Sequence, residues 1–329
     1  MASAYLLSAA PDDPDRFPKA FLDLEQLRRC AAADRFGVHT ARDNPASADF
    51  ILFVEVSEAA GHYFERVRRH PLRKSNPEST YLFSSTDKFV PLLPGVYASL
   101  ERSWYSPAWT RPGHYLGVRE RGHLRYCEPR PTPTHLFSYA GSTTTHPIRK
   151  RVIRLRHPDA VLIDTSAGRH EQVLAADEYQ RQYAQLIAES AFVLCPRGGG
   201  TSTFRLFETM MLGRVPVIIS DEWVPPEGPD WEAFSVRVAE AELDTIPGIL
   251  AERESDAEAM GLAARGAWLE WFSETTSFHT VIESLVRLAE CADARAGRRR
   301  YSPYREMFRP FHAARWTAKR LGHGRLWSI

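Results

Sequence analysis

The sequence predicts an α/β protein built from two Rossmann-like domains that face a cleft. Its length of 329 residues suits two domains of about 150 residues each. Short apolar runs, typical of buried strands, alternate with helix-like stretches along the chain. A stretch rich in Pro, Gly and Arg interrupts this alternation near residue 130. Because ligands of such sheets bind beyond the carboxyl ends of the strands, we expect the candidate site residues at those ends.

The first predicted domain covers residues 1–133 and includes the connector. Its apolar runs are rich in β-branched or aromatic residues and stop at polar or small residues, as buried strands do. Residues 104–133 have little periodicity, so we interpret them as loops and a connector. The predicted strands are 48–56 (ADFILFVEV) and 81–84 (YLFS), and the predicted helices are 20–33 and 61–69.

The second predicted domain covers residues 134–297 and repeats the alternation more regularly. A basic segment, 298–329, follows it, with nine Arg or Lys residues against the single acid Glu306 and with aromatic residues in between. The predicted elements of the second domain are strand LFSYAG from 136, helix HPIRKRVIRL from 146, strand AVLIDTS from 160, helix DEYQRQYAQLIAES from 177, strand AFVLCP from 191, helix TSTFRLFETMMLG from 201 and strand VPVIIS from 215.

Composition excludes several classes of function. The net charge of +1 gives no indication of a nucleic-acid partner. The four cysteines lack CxxC spacing, which argues against a zinc site or a disulfide framework and fits a reducing compartment. The first residues lack the basic and apolar regions of a signal peptide, and no apolar run approaches the roughly 20 residues of a membrane span. We therefore expect a cytoplasmic protein.

The segment 191–221 carries the most informative pattern in the chain. It begins and ends with an apolar strand, and between them lie a glycine triplet and a predicted helix opened by Thr or Ser. Glycines allow the backbone to turn tightly and approach a ligand closely, and a helix N-terminus offers unpaired N–H groups to a diphosphate. The residues of this turn are Gly198, Gly199, Gly200, Thr201 and Ser202.

Three polar residues follow at helical spacing, because Ser202, Arg205 and Glu208 are three positions apart. Arginine can pair with phosphate oxygens through two parallel hydrogen bonds, and a carboxylate one turn deeper can accept from two ribose hydroxyls. This pattern indicates a nucleoside diphosphate, although it matches neither the Walker loop nor GxGxxG. Two plainer interpretations stay open, namely a ligand-free turn and an ordinary ion pair between Arg205 and Glu208.

The run 192–226 resembles the C-terminal signature of the exostosin-like glycosyltransferases. This resemblance implies a GT-B fold, a nucleotide-sugar donor with uridine as the favoured base, and inversion at the transferred sugar carbon. It also implies that Arg205 contacts the diphosphate and Glu208 the ribose. A plain Gly-Gly-Gly-Thr replaces the more varied spacers of the family. The matching residues are Phe192, Leu194, Pro196, Gly198, Ser202, Arg205, Glu208, Gly213, Val215, Pro216 and Val217.

A second stretch, 137–155, resembles the family segment that opens the donor domain. There Gly141 would end a strand, and Arg149 or Arg151 would point toward the donor phosphates. Arg197, which precedes the glycine triplet, is assigned to the same site. The alternative is a plain amphipathic helix over HPIRKRVIRL whose arginines are solvated.

Inverting glycosyl transfer needs a base and a group that stabilises the leaving diphosphate. No convincing DxD metal site is found, since Asp13-Pro14-Asp15 follows no strand, so we expect arginine and a helix end instead of a metal, and no cofactor. The base candidates follow predicted strands: Glu55 and Asp87, with His62 after a turn. Their plainer interpretations are a surface acid, a helix N-cap and a loop residue.

The basic segment 298–329 has two interpretations. It can pack back on the N-terminal domain, or it can touch anionic lipid and place the protein beside a lipid-linked acceptor. The acceptor is expected to be a glycan or a lipid-linked hydroxyl. The rival functions are a retaining transferase of the same fold, a degenerate nucleotide-sugar-binding protein, and a peripheral membrane scaffold.

Overall fold

Two parallel sheets organise the chain, one in each of two units. The computed structural model describes residues 1–13, 15–17, 20–56, 61, 64–87, 90–116, 123–166 and 176–291. The predictions for segment 298–329 and for His62 therefore lie outside the described residues. Among the helices of the described ranges, none combines the length and the apolar character that crossing a membrane requires.

The first unit contains a six-stranded parallel sheet in the order β2-β1-β3-β4-β5-β6. Short helices α1, α2 and α3 join its first strands. Along β3 the side chains alternate between two apolar clusters: Leu52 packs with Leu27 on one face, and Phe53 packs with Val67 on the other. The bounds are β1 Ser3–Leu7, α1 Leu22–Ala32, β2 Thr40–Arg42, β3 Phe50–Glu55, α2 Glu65–Arg69, α3 Pro71–Ser75, β4 Thr80–Ser84, β5 Gly95–Tyr97 and β6 Thr110–Pro112.

The second unit contains a five-stranded parallel sheet in the order β11-β10-β9-β7-β8. Phe137, Phe192 and Val217 come from its three central strands and pack in one apolar cluster with Val152 and Ile246. The bounds are β7 His135–Gly141, α4 Pro147–Val152, β8 Ala160–Asp164, α5 Ala176–Ala188, β9 Ser190–Pro196, α6 Phe204–Met211, β10 Val215–Ile219, α7 Trp231–Phe234, β11 Val236–Arg237, α8 Ile246–Glu252 and α9 Ala257–Trp271.

The last described helix, α10 (Glu274–Glu290), returns to the first unit. Its residues Phe278, Ile282 and Leu285 are fully buried in the cluster that contains Leu24 and Leu27 of α1. The i, i+4, i+7 spacing of these three residues forms the apolar stripe by which a helix packs on a core. The chain therefore leaves the first unit and completes it with a helix that lies about 240 residues beyond α1.

The structure divides the chain differently from the predicted boundaries at 133/134 and 297/298. The first unit contains Met1–Leu116, Val224–Pro226 and α10, and the second contains the described parts of 117–223 and 227–273. Of the predicted connector, residues 104–116 belong to the first unit and residues 123–133 to the second, where arginines contact them. Arg130 donates to the carbonyl oxygen of Gly213, Arg214 donates to that of Pro131, and the Arg265 guanidinium lies 4.4 Å from the centre of the Tyr126 ring.

The two parallel sheets confirm the predicted α/β class, while the cleft between the domains stays a prediction. Each of the predicted strands matches an observed strand within a few residues, from β3 to β10. Five further strands of the described residues, β1, β2, β5, β6 and β11, were not predicted, and β6 falls inside the stretch interpreted as loops and connector. Four of these five have only two or three residues, which is too short for a period of two to be recognised.

Candidate functional site

Arg149, in α4, holds together the ends of two neighbouring strands of the second sheet. Its Nε donates to the carbonyl oxygen of Arg197 at 2.9 Å, its Nη1 to Ser142 at 3.3 Å and its Nη2 to Pro196 at 3.3 Å. These carbonyl groups lie at or just beyond the carboxyl ends of β7 and β9. The structure therefore gives Arg149 a role in positioning the two loops, and its contact with donor phosphates stays a prediction. Arg151 donates to the Glu240 carbonyl oxygen at 2.9 Å.

The glycine-rich turn after β9 packs tightly against Arg149. The Gly198 N–H donates to the Gly200 carbonyl oxygen at 3.1 Å, so the turn closes on itself. A Cβ atom at Gly198 would lie 2.8 Å from Arg149 Nη2, closer than real Cβ contacts. A larger residue at 198 would therefore displace the Arg149 guanidinium. Gly200 is buried and Gly199 half-buried.

Helix α6 begins later than the sequence predicted. It starts at Phe204, and the preceding Thr203 has extended backbone angles, φ −147° and ψ 143°. The prediction that Thr201 or Ser202 opens the helix is therefore wrong by two or three residues. Ser202 lies before the helix, so only Arg205 and Glu208 share its first turns. Both Thr201 and Ser202 are buried in the turn.

Arg205 is a buried cation with unused hydrogen-bond donors. Only 8% of its surface is exposed, and its Nη2 donates to the Ala140 carbonyl oxygen. Its Nε and Nη1 have no hydrogen-bond partner among the residues that the structure describes. The guanidinium lies 4.5 Å from the centre of the Tyr139 ring and 5.8 Å from that of Tyr183. Burial acts to lower the pKa of Arg205, but Tyr183 and Tyr139 outweigh it and the pKa is raised, so the group stays cationic.

Gly141 makes room for the Arg205 guanidinium at the end of β7. A Cβ atom there would lie 2.7 Å from Arg205 Nη2 and 2.8 Å from the Tyr139 hydroxyl oxygen. Gly141 is the last residue of the strand, as the sequence predicted. The close approach, not the end of the strand, is what excludes any larger residue.

Glu208 lies one helical turn beyond Arg205 and is 2% exposed. The Tyr183 hydroxyl donates to Glu208 Oε2 at 2.5 Å, a short hydrogen bond of the kind that charged acceptors form. Tyr183 therefore touches both predicted donor-site side chains, because its ring also faces Arg205. The sequence analysis missed Tyr183 and Tyr139, which carry no motif and are recognisable only as aromatic residues near the ends of α5 and β7.

The edge of the sheet that holds Arg149 and Arg197 is electropositive. His146 caps α4, and its pKa is lowered by burial and then by the charges of Arg197 and Arg149. The Arg197 guanidinium lies 3.8 Å from Glu240, a long ion pair. An anion at this edge would be favoured over a cation.

Hydroxyl groups line the adjoining ends of β7 and β8. Thr143 donates to Asp164 Oδ2 at 2.8 Å, and the Ser166 hydroxyl donates to Asp164 Oδ1 at 2.6 Å. The Thr143 N–H in turn donates to the Ser166 hydroxyl at 2.9 Å. This network fixes the loop after β7, which is also the loop that accepts from Arg149 at Ser142. No motif in the sequence indicated it.

Glu55, a predicted base, is the last residue of β3 and is completely buried. It accepts from the Ala9 N–H at 2.5 Å and from the Ser8 hydroxyl at 2.9 Å, so it joins the ends of β3 and β1. Burial raises the pKa of Glu55 to about 7, against the opposing effects of these two hydrogen bonds and of the Arg66 charge. A carboxyl group with that pKa can take up a proton near neutral pH.

Asp87, the other predicted base, lies in an exposed position after β4. The Tyr115 hydroxyl donates to its Oδ1 at 2.8 Å. The structure therefore places the two base candidates in the same unit but in different surroundings, one buried and one exposed. Neither catalytic role is tested by these contacts.

A comparison with known families covers this edge of the sheet. The sequence model of the exostosin GT47 domain matches residues 105–252, a range that includes Gly141, Arg149, Arg205 and Glu208. This part of the chain is therefore similar to the exostosin-like glycosyltransferases. The resemblance seen in the sequence is thereby confirmed, and this domain contains the whole arrangement around Arg205.

The chain matches only a part of each of its relatives. An exostosin-1 homolog of Caenorhabditis elegans is 46% identical over 77 residues, which is 22% of this chain and 20% of the relative. Exostosin-2 of Bos taurus is 31% identical over 157 residues, which is 44% of this chain and 22% of the relative. The matches thus span about a fifth of the length of these relatives.

Among solved structures, the Anabaena Alr3699/HepE protein in complex with UDP is similar over 87% of this chain and 100% of its own. The TM-score is 0.41 and the sequence identity is 11%. The fold of the second unit is described by its own five-stranded parallel sheet.

Proposed function

We propose that this protein transfers a sugar from a nucleoside diphosphate donor, favoured to be a UDP-sugar, to a hydroxyl group of a glycan or a lipid-linked acceptor. The proposal includes inversion at the transferred carbon and stabilisation of the leaving diphosphate without a metal ion. The observation that carries it is the buried Arg205 guanidinium, whose Nε and Nη1 have no partner among the described residues.

A bound anion would accept hydrogen bonds from the unpaired donors of Arg205 at low energetic cost. A buried charged group with unpaired donors is unfavourable by roughly 1–3 kcal/mol or more, and two phosphate oxygens can accept from the planar guanidinium edge. Gly141 keeps the space beside the guanidinium clear of side-chain atoms. The anion is held by fixed donors that need no reorganisation, which is the arrangement that stabilises charge developing on a leaving group.

Glu208 supports a nucleotide rather than a simple phosphate as the ligand. Its carboxylate lies in the same helix three residues beyond Arg205, and the Tyr183 hydroxyl holds its Oε2. A second carboxylate oxygen can accept from ribose hydroxyls, as the resemblance to the exostosin-like family implies for this position. The uridine base of the proposal rests on that resemblance.

The proposed donor site uses arginine and backbone groups where other transferases use a metal. Arg149 holds the loops after β7 and β9 together by three donated hydrogen bonds. Those loops bring the glycine-rich turn beside the positively charged groups that lower the pKa of His146. Fixed positive charge of this kind can stabilise the negative charge that develops on the leaving phosphate.

Glu55 is the base candidate that the electrostatics favour. Its pKa of about 7 allows the carboxylate form to accept a proton at neutral pH, whereas an ordinary surface acid is a weaker base. As a general base it contributes a factor of about 10²–10⁴ to turnover, so Glu55→Gln is expected to lower kcat by that factor. Asp87→Asn is the parallel test, and unchanged turnover in both variants would remove both residues from the mechanism.

The donor site can be tested by calorimetric titration of UDP and GDP in the presence of EDTA. The wild type is compared with Arg205→Lys, which keeps the positive charge but loses the planar fork. We expect binding of UDP to the wild type and at least a tenfold, roughly 1.4 kcal/mol, loss in the variant. If the protein binds GDP more tightly than UDP, the nucleoside in the proposal changes, and the proposed binding site does not.

The matched control is Arg214→Lys in the same unit. Arg214 is likewise buried, and its Nη2 donates to the Pro131 carbonyl oxygen. If Arg214→Lys lowers UDP affinity as much as Arg205→Lys does, the effect is one of folding and the donor site is not supported. Absence of binding to either nucleotide in the folded wild type would contradict the proposal. Product anomer analysis then distinguishes inversion from retention.

A further inference from the structure

A cluster of three metal-ligating side chains lies in the first unit and contains none of the candidate site residues described above. His39 precedes β2, and His279 and Glu283 come from α10. One ligand atom from each of the three lies within 4.8 Å of the others. His279 and Glu283 are four residues apart, so α10 presents both on one face. We propose that His39, His279 and Glu283 bind one divalent transition-metal ion of the zinc class.

The donor set fits zinc chemistry. Two imidazoles and one carboxylate are a common three-residue set for Zn²⁺, with a water in the fourth position. The Glu283 side chain is 35% exposed, whereas His39 is only 1% exposed, so the ion would be reached from the solvent side of Glu283.

Unused polar atoms surround the three ligands. His279 Nδ1 and Asp34 Oδ1 are buried and have no hydrogen-bond partner within the described part of the chain. The Phe36 ring stacks on His279 at 4.1 Å between ring centres and fixes its orientation. Buried polar atoms of folded proteins rarely lack hydrogen-bond partners. A bound ion with its water ligands would supply partners for the atoms of both His279 and Asp34. The carboxylates of Asp34 and Glu283 would also offset the charge of the ion.

One proton must move when the ion binds. His39 Nδ1 accepts from the Ala2 N–H at 3.2 Å, and His39 Nε2 lies 2.8 Å from Glu283 Oε1. In this state Nε2 carries the ring proton and donates to Glu283. Binding of the metal at Nε2 transfers that proton to Nδ1, so the ring stays neutral and the long hydrogen bond from Ala2 is given up. No proton is gained or lost by His39 overall.

The ion would connect α10 to the segment before β2. These two parts lie more than 200 residues apart in the sequence, and α10 completes the apolar core of the first unit. A metal that binds the folded form alone stabilises it according to its concentration relative to Kd. The proposed site is therefore structural, and it stands independently of the proposed transferase function.

The test is calorimetric titration of Zn²⁺ into the full chain after EDTA treatment and dialysis, together with thermal unfolding with and without Zn²⁺. We expect one ion per chain at this site and a rise in Tm on its addition. Glu283→Gln and His279→Gln should each lower the Zn²⁺ affinity at least about tenfold and remove the rise in Tm.

The matched control is Glu290→Gln, the same substitution on an exposed position of the same helix. This variant should bind Zn²⁺ with the affinity of the wild type and show the same rise in Tm when Zn²⁺ is added. The chain has 12 histidines, so an ion bound elsewhere would survive in both ligand variants. That result, or equal affinity in Glu283→Gln and Glu290→Gln, would overturn the proposal. If His279→Gln alone fails to fold, the comparison of the two glutamate variants still decides it.

Discussion

Each of the two parallel sheets has a buried charged residue near its carboxyl edge, but the surroundings differ. Glu55 in the first unit is enclosed by the donors that it needs, the Ala9 N–H and the Ser8 hydroxyl. Arg205 in the second unit uses Nη2 and leaves Nε and Nη1 without partners among the described residues. The comparison shows two arrangements of a buried ionisable group in the same architecture: one accepts the hydrogen bonds that join two strand ends, and the other keeps donors without partners.

The difference between Glu55 and Arg205 can first be tested by the pH dependence of the free energy of unfolding. The pKa of Glu55 is about 7 in the folded protein against 4.5 for the ordinary group, so the folded form binds the proton more tightly. The contribution of Glu55 to the free energy of unfolding is complete below about pH 4.5 and is lost as the pH rises through 7. Between pH 5 and pH 8 we expect the wild type to lose up to about 3 kcal/mol relative to Glu55→Gln.

Urea unfolding of both proteins across that pH range measures this difference. Parallel stability curves for the wild type and Glu55→Gln would mean that the Ala9 and Ser8 hydrogen bonds hold the carboxylate form as well as the protonated one. Glu101→Gln, at a half-buried acid of the same unit, controls for the general effect of removing a charge.

The next prediction concerns Gly141, whose backbone lies close to both Arg205 and Tyr139. In Gly141→Ala the new methyl group meets Arg205 Nη2 at 2.7 Å, so the guanidinium must shift. We expect a loss of about 2 kcal/mol in the free energy of unfolding and of about 100-fold in turnover, because a misplacement of about 1 Å is enough for that. Unfolding by urea and steady-state kinetics measure the two effects.

Tyr183→Phe probes the hydrogen bond to Glu208 without changing the ring that faces Arg205. The variant removes a 2.5 Å hydrogen bond to a buried carboxylate. We expect a loss of about 1.5 kcal/mol in the free energy of unfolding. A stability equal to that of the wild type would show that Glu208 has other donors that replace Tyr183 fully.

The smallest effect is expected at Gly266, which serves as the control for Gly141. It lies in the interior of α9, and a Cβ atom there has no neighbour within 4 Å in the structure as described. Gly266→Ala should raise the free energy of unfolding by about 0.5–1 kcal/mol and leave UDP affinity unchanged. A loss of stability would mean that alanine is unfavourable in this region for reasons other than close contact.

The order of strands and helices was largely readable from the sequence. The apolar runs of β3 and β9 are long enough, and sufficiently flanked by polar or small residues, for their type to be recognised. The glycine triplet, Arg205 and Glu208 could also be found, since their spacing along one segment carries the pattern. The start of α6 could not, because the extended backbone of Thr203 depends on the tight turn before it.

The residues that complete each site come from distant parts of the chain and carry no local signal. Tyr183 lies 25 positions before Glu208, and Glu283 lies 244 positions beyond His39. The sequence argued against a zinc site because it offers no closely spaced cysteines, but ligands on α10 and before β2 need no such spacing. Only the packing of α10 on the first unit brings them together.

The sequence by itself determined the parallel α/β class, the glycine-rich turn after β9 and the resemblance of this segment to the exostosin-like glycosyltransferases, because these depend on local periodicity and on residues close together in the chain. The tertiary structure alone decided that Arg205 keeps unpaired donors, that burial raises the pKa of Glu55, and that α10 returns to the first unit. Burial and hydrogen-bond satisfaction depend on which distant groups arrive beside a side chain, and no local pattern specifies that.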